Sequence, residues 1–228
     1  KAQEKLIHAQ KVEAVGRLAS GVAHDFGNLM SLILGYTSRA RRLHEPEELQ
    51  QAVTGVESAA RRAVLVVRKL LSFSRQDETL LQVFDPAEAL RELRPMLRQL
   101  FPPEIELQLQ VPASLPSIRF DRTQFELMAL NIASNAQQAM PEGGRFALSA
   151  TARAEGGIAL EFSDNGAGMP AEVQARVFEP FFTTKPSGEG TGLGLAVVHD
   201  LVTAAAGTLD VRSTPGIGTT FRIELAAA

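Results

Sequence analysis

Asn131 and Asn135, in the run Asn131-Ile132-Ala133-Ser134-Asn135-Ala136, stand four residues apart, so on a helix both amides lie on one face and can point into a single site. Amide oxygens are hard donors suited to Mg²⁺, although such a pair also serves as ordinary surface hydrogen bonding. A second run, Asp164-Asn165-Gly166-Ala167-Gly168-Met169, follows a strand-like stretch. There a carboxylate can accept from an exocyclic amine and glycines let backbone approach a ring, while Asp-Asn-Gly equally suits a plain strand-ending turn. Further on come Phe178-Glu179-Pro180-Phe181-Phe182-Thr183-Thr184-Lys185 and then Gly188-Glu189-Gly190-Thr191-Gly192-Leu193-Gly194-Leu195. Glycines at alternate positions opening onto a helix leave backbone N–H groups where a polyphosphate would sit, and Lys185 could reach the phosphates as a point charge. The phenylalanines would anchor a mobile lid, or simply belong to the core.

The elements that must position these residues fall into two halves. Apolar or small residues at Val12, Val15, Ala19, Val22, Phe26, Leu29, Ile33 and Tyr36 alternate in spacing between three and four, as do Leu49, Ala52, Val56, Ala59, Ala63, Val66, Leu70 and Phe73. Each series is the seam of a long helix, and the break at His44-Glu45-Pro46 makes the pair a hairpin. Helices this long need a further partner surface, so two chains are expected to combine into a four-helix bundle, giving a homodimer. His24 falls at the position farthest from the seam and must face solvent, with Asn28 one turn later on the same face and Asp25 adjacent. Polar residues 74–79 read as a linker.

Beyond the linker the period changes. Asp85-Pro86 starts a helix to about Leu100, Ile105 to Val111 alternates as a strand, and Asp121 caps a helix to about Met140. Phe146 to Ala152 and Ile158 to Phe162 are joined by a Glu155-Gly156-Gly157 turn; a helix to about Ala206 and a hairpin of Thr208 to Arg212 with Thr219 to Leu225 close the chain. The fold class is therefore two domains: a helical hairpin over 1–76, a linker over 77–83, and over 84–228 an α+β sandwich in which helices cover a mixed sheet.

Composition narrows the function. Among 228 residues there is no cysteine, which excludes disulfide scaffolds and thiolate chemistry, and 23 basic against 26 acidic residues leave no cationic excess for nucleic acid. No apolar run of about 18 residues or signal peptide is present, so no membrane contact is expected of this stretch. The chain opens at Lys1 in the middle of a helical pattern, and is expected to have been cut from something longer.

In order, the four motifs of the second half resemble the N, G1, F and G2 boxes of the ATP-binding fold shared by gyrase, the heat-shock chaperone ATPase, mismatch-repair ATPases and histidine kinases. The resemblance covers about residues 84 to 225. It implies Asn135 as the Mg²⁺ ligand beside Asn131, Asp164 as the acceptor of the adenine amine, and Gly166 and Gly168 lining the base pocket. Gly190, Thr191, Gly192, Leu193 and Gly194, with Lys185, would hold the phosphates, and Thr219 or Thr220 would complete the adenine side. The Walker loop is missing, and no βαβ unit supports a dinucleotide fingerprint.

The run His24-Asp25-Phe26-Gly27-Asn28 resembles the phosphoacceptor box of two-component sensor kinases, particularly the His-Asp-Phe-x-Asn form frequent in hybrid kinases. An imidazole of ordinary pKa, about 6.5, is largely neutral near pH 7 and can attack a γ-phosphate without a strong base. By the resemblance Asp25 would orient His24, and Asn28 would position water when the kinase dephosphorylates its partner. Two positions depart from the pattern: Leu29 stands where many relatives have proline, and Gly27 where related sequences have asparagine. Gly21 and Gly27 are expected to supply the bending that proline provides elsewhere. His8, His44 and His199 read as surface residues.

The implied function is that of a homodimeric protein-histidine kinase using ATP and Mg²⁺, passing the phosphoryl group from His24 to a response-regulator receiver domain. A sensor domain would lie upstream, and this part would be cytoplasmic, whether or not the whole protein is membrane-anchored. The competing readings are a nucleotide-binding pseudokinase or scaffold, and a gyrase-like hydrolase. The hydrolases place a glutamate base where this chain has Asn131, which leaves water activation poorly served.

Overall fold

The structure, a computed structural model, describes residues 27, 28, 30–43, 45–56, 59, 60, 63, 80–185 and 192–228. Two compact units divide the chain, Lys1–Asp77 and Glu78–Ala228.

In the first unit, helix α1 covers 30–40 and α2 covers 46–56, with helical residues also at 27, 28, 59, 60 and 63. Ala52, Ala59 and Ala63, three expected seam positions, are buried. The ring of Tyr36 lies over Gly55, where a Cβ would approach it to 2.7 Å, so the small residue lets the two helices touch. Leu49, another seam position, is 42% exposed; it stands near the loop end of the hairpin, one turn after the chain reverses. His24 and Asp25 lie outside the described residues, as do the linker positions 74–79.

The second unit opens with β1 (Leu81–Phe84), which pairs antiparallel with β3 (Ile118–Asp121). The expected linker over 77–83 is corrected here, because its last residues belong to a strand. Leu81 and Val83 are exposed, so this short strand carries little burial signal beside the polar residues before it. Helix α3 (Pro86–Leu100) starts as expected: Asp85 Oδ1 accepts from Ala87 N at 2.8 Å, and Pro86 supplies a preset φ where no N–H is needed. Helix α4 (Arg122–Ala139) is capped by Asp121, whose Oδ1 accepts from Gln124 N at 3.1 Å.

The main sheet has the order β2-β4-β5-β7-β6, with β2 (Ile105–Gln110), β4 (Gly144–Ala152), β5 (Ile158–Asp164), β6 (Thr208–Thr214) and β7 (Gly218–Leu225). Only β2 with β4 is parallel. Phe146, Leu148, Leu160, Phe162, Phe221 and Ile223 are buried on one face, the side that the helices cover. On the other face Arg222 bonds Glu161 at 2.7 Å and Glu224 at 2.9 Å. Two elements complete the unit: the short α5 (Ala171–Gln174) and α6 (Gly194–Ala204), which packs on α4. The α+β sandwich expected from the sequence is the observed architecture.

Candidate functional site

Asp164 ends β5, the central strand, and is only 9% exposed. Its Oδ1 accepts from Gly166 N at 2.9 Å and from Thr219 N at 3.3 Å, which leaves Oδ2 to accept from a ligand. Burial raises its pKa above the ordinary carboxylate value, opposed by the two backbone donors of Gly166 and Thr219. Thr219 faces Asp164 in register and is itself buried. Thr220, the alternative, points to the opposite face, as successive residues of a strand do, and its hydroxyl meets Ser163 Oγ at 2.9 Å on that side of the sheet.

The glycines after Asp164 answer first to their own chain. A Cβ at Gly166 would lie 2.5 Å from Ala139 O, at the end of α4. At Gly168, where φ is +66°, it would lie 2.0 Å from Thr214 O. Ala167 N donates to Ala139 O at 2.9 Å, and Gly216 N to Ala167 O at 2.8 Å. The loop is thus wedged between α4 and the β6–β7 turn, and its glycines permit that fit whatever they also offer a base.

One and two turns before Ala139, α4 presents the two asparagines. Asn131 is 3% exposed and its Nδ2 is buried without a hydrogen-bond partner; Asn135 is half-buried. An unpaired buried donor costs about 1–3 kcal/mol, which makes the position one that a ligand or water would satisfy. A Cβ at Gly194, the first residue of α6, would lie 3.6 Å from Asn131 Oδ1 and 3.8 Å from Asn135 Nδ2. Leu193 caps α6 without a side-chain bond, so the cap residue itself offers no acceptor to the first N–H groups of this helix. Leu193 itself is buried, and what it offers the site is backbone. Both amides and a helix N-terminus therefore converge, an arrangement suited to phosphate. Among the described residues no group of three or more carboxylates and histidines could cage a metal, so a Mg²⁺ here would rest on amide oxygen, chiefly Asn135, together with phosphate oxygens.

Lys185 Nζ donates to Gln138 Oε1, three residues beyond Asn135 on α4. That places the ammonium on the asparagine side of the helix. Phe178 stacks on His199 at 5.6 Å and meets Phe221 edge-on at 6.3 Å, so it belongs to the packing. Phe181 is 45% exposed, with φ of 67°, and its N–H donates to Gly192 O at 3.0 Å. Gly190 and Thr191 lie outside the described residues. Asn28 is helical and exposed. Three residues not singled out in the sequence touch these groups: Gln138 meets Lys185, Ser213 meets Thr219, and Gln174 meets Met169. Only Gln138 carried a signal, its spacing from Asn135.

Asp164 with Thr219 at one end and the amides with the α6 N-terminus at the other define a nucleotide-binding fold of the gyrase and Hsp90 class. A family model described as histidine kinase-, DNA gyrase B-, and HSP90-like ATPase matches residues 120–228, and one for the His Kinase A phospho-acceptor domain matches residues 14–79. The chain belongs to the two-component sensor histidine kinases. It is 36% identical over 238 residues to the sensor kinase CckA of Brucella abortus (strain 2308), covering 98% of this chain and 25% of that protein. With the sensor histidine kinase ZraS of Escherichia coli (strain K12) it shares 34% over 226 residues, 98% of this chain and 48% of that one. The chain thus spans half or less of the length of these curated relatives. Among solved structures, full-length ShkA in complex with AMPPNP matches with a TM-score of 0.61 and 25% identity, over 93% of this chain and 46% of that one. The mycobacterial sensor kinase MprB matches with a TM-score of 0.54 and 28% identity, over 64% and 97% respectively.

Proposed function

We propose that this chain is a catalytic core that transfers the γ-phosphoryl group of ATP to His24, and from His24 to an aspartate of a response-regulator receiver domain. The observation that carries the reading is the convergence, beside one loop, of a buried carboxylate with a free oxygen and of two amides set against an uncapped helix N-terminus. Asp164 would accept from the adenine amine, with Thr219 beside it. The N–H groups of Gly194 and its neighbours, with Lys185, would hold the phosphates and balance their charge. Bound Mg²⁺ supplies charge neutralisation for phosphoryl transfer, and Asn135, with Asn131 adjacent, is the residue that would hold it. One imidazole nitrogen of His24 forms the new N–P bond as the bond from the γ-phosphorus to the β–γ bridging oxygen breaks; ADP leaves and the surplus imidazole proton passes to solvent. Asp25 would hold the other ring nitrogen's hydrogen, and Asn28 would position water for dephosphorylation of the partner. Transfer requires a receiver carboxylate to displace the histidine, regenerating His24.

Relatives support the partners. The phospho-acceptor family model matches the hairpin, as expected for a dimer, and a solved complex of the kinase ThkA with the response regulator TrrA shares this fold at a TM-score of 0.62 and 21% identity. No helix among the described residues is long and apolar enough to cross a membrane, and dependence on ATP agrees with a cytoplasmic site of action. A hydrolase that activates water is less well supported, because Asn131 carries an amide where a base is needed and cannot accept a proton from water.

The test is to incubate the chain with γ-labelled ATP and Mg²⁺ and examine the label. Acid-labile, alkali-stable label in the wild type, lost in both His24→Gln and Asn135→Ala, is expected. Label persisting in His24→Gln, or ATP bound by the wild type without any label, overturns the assignment.

A further inference from the structure

Asp164, Thr219 and Ser213 form one rung across three strands: Asp164 pairs with Thr219 between β5 and β7, and Thr219 with Ser213 between β7 and β6. The hydroxyl of Ser213 is fully used. It accepts from Met169 N at 2.8 Å, donates to Gly218 O at 3.0 Å and meets Thr219 Oγ1 at 2.8 Å. A serine oxygen has one hydrogen to give and two lone pairs, so Thr219 is the donor in the last of these.

β6 is the edge of the sheet, and a strand edge presents unpaired backbone groups. At Ser213 those groups are taken by the side-chain amide of Gln174. Ser213 N donates to Gln174 Oε1 at 3.2 Å, and Gln174 Nε2 donates to Ser213 O at 2.9 Å. The same Nε2 donates to Met169 O, also at 2.9 Å. One amide thus stands in for the missing sixth strand and simultaneously ties down the end of the Asp164–Met169 loop. Met169 is held on both its N–H and its C=O, one by Ser213 and one by Gln174. All these groups are half-buried.

We infer that Gln174 and Ser213 are positioning residues for adenine recognition: neither touches the base, but together they fix the loop and the threonine that aim Asp164 Oδ2. This rests on the reading of Asp164 as the acceptor of the adenine amine. Its consequence is a specific one. Loosening the pair lets Thr219 and the Gly166–Met169 backbone shift, so the contact that distinguishes an amino group from hydrogen at the base's sixth position is lost before the phosphate contacts are.

The test uses ATP and purine riboside triphosphate, which lacks only the 6-amino group, binding to the full chain measured by calorimetry with the melting temperature in parallel. Wild type is expected to prefer ATP by about tenfold or more, the range for a hydrogen bond to a charged group. In Gln174→Met and in Ser213→Ala that preference falls to about threefold or less, while purine riboside triphosphate binds as before; Ser213→Thr, which keeps the hydroxyl, restores it. Should either Met or Ala variant fold poorly, the other carries the test. An unchanged ratio in the variants, or both nucleotides weakened equally along with the melting temperature, overturns the inference. A wild type that does not distinguish the two nucleotides overturns the adenine assignment itself, and the inference falls with it.

Discussion

Gly192 lies so close to Phe181 that a Cβ on it would stand 2.4 Å from the phenylalanine's carbonyl carbon, while Phe181 N–H donates to Gly192 O at 3.0 Å. The aromatic motif and the glycine-rich motif, distinct in sequence, meet through their backbones. Gly192 also has φ of +63°, where a side chain costs about 1–2 kcal/mol. Gly192→Ala is therefore expected to disrupt the entry to α6 and weaken ATP binding about tenfold or more. Titration calorimetry with ATP checks this; unchanged affinity would mean that the contact does not shape the phosphate end.

Asp164→Asn keeps an oxygen for Gly166 and Thr219 but presents an amino group where Oδ2 stood. ATP affinity is expected to fall by about tenfold to a hundredfold, measured by calorimetry, the range for losing a hydrogen bond to a charged acceptor. The pH behaviour has a definite sign. Burial raises the folded-state pKa above the unfolded one, so the folded form binds more protons between the two values. That stabilising contribution is present in acid, falls away as pH rises through the folded pKa, and becomes a penalty for the buried anion beyond it. Thermal melts across that window should therefore fall less steeply with pH in Asp164→Asn than in wild type.

Asn131→Leu separates stability from function. It replaces a buried amide whose Nδ2 has no partner with an apolar group of similar size, so the nucleotide-free protein should be as stable as wild type or more so, by up to about 1–3 kcal/mol. Phosphorylation should nonetheless drop sharply. A variant with lower stability would show that the amide is satisfied within the fold.

Lys185→Ala should slow labelling about tenfold or more, since a cation near a transferring phosphoryl group supports much of the catalysis. Because Lys185 Nζ meets Gln138 Oε1, adding Gln138→Lys to that variant returns a cation to nearly the same place. Partial recovery of the labelling rate is expected; none would show that Lys185 acts elsewhere.

Gly27→Ala should stiffen the helical backbone at residues 27 and 28. A Cβ at Gly27 meets nothing within 4 Å, and Ser31 Oγ donates to Gly27 O at 2.9 Å, a back-bond that favours bending. Helix stability should rise by about 1 kcal/mol, seen as slower hydrogen exchange around residue 27, and labelling of His24 should slow. Faster exchange would contradict the role given to this glycine.

The architecture was readable where periodicity and caps are local: Asp85, Asp121 and the alternating strands declare themselves within a few residues. β1 carries no sequence signal because most of its side chains are exposed, and α5 because four residues make barely one turn, too few to show a repeat. In the site, Asp164 and the asparagines stand out by motif, yet which of Thr219 and Thr220 faces Asp164 depends on the pairing of β5 with β7. Gln174 and Ser213 had no pattern at all, since what they do depends on backbone brought near by the edge of the sheet. Gly166 and Gly168 were legible as glycines needed for close approach, but it is Ala139 and Thr214 that make the approach.

Asp164 closes the middle strand of the sheet, paired on both sides by β4 and β7. If adenine docks there, the nucleotide is surveyed from a fixed origin, and its own covalent length sets where the γ-phosphorus comes to rest. Any displacement of that origin is delivered undiminished to the far end of the ligand, where an error of an ångström decides whether an incoming nitrogen finds its target.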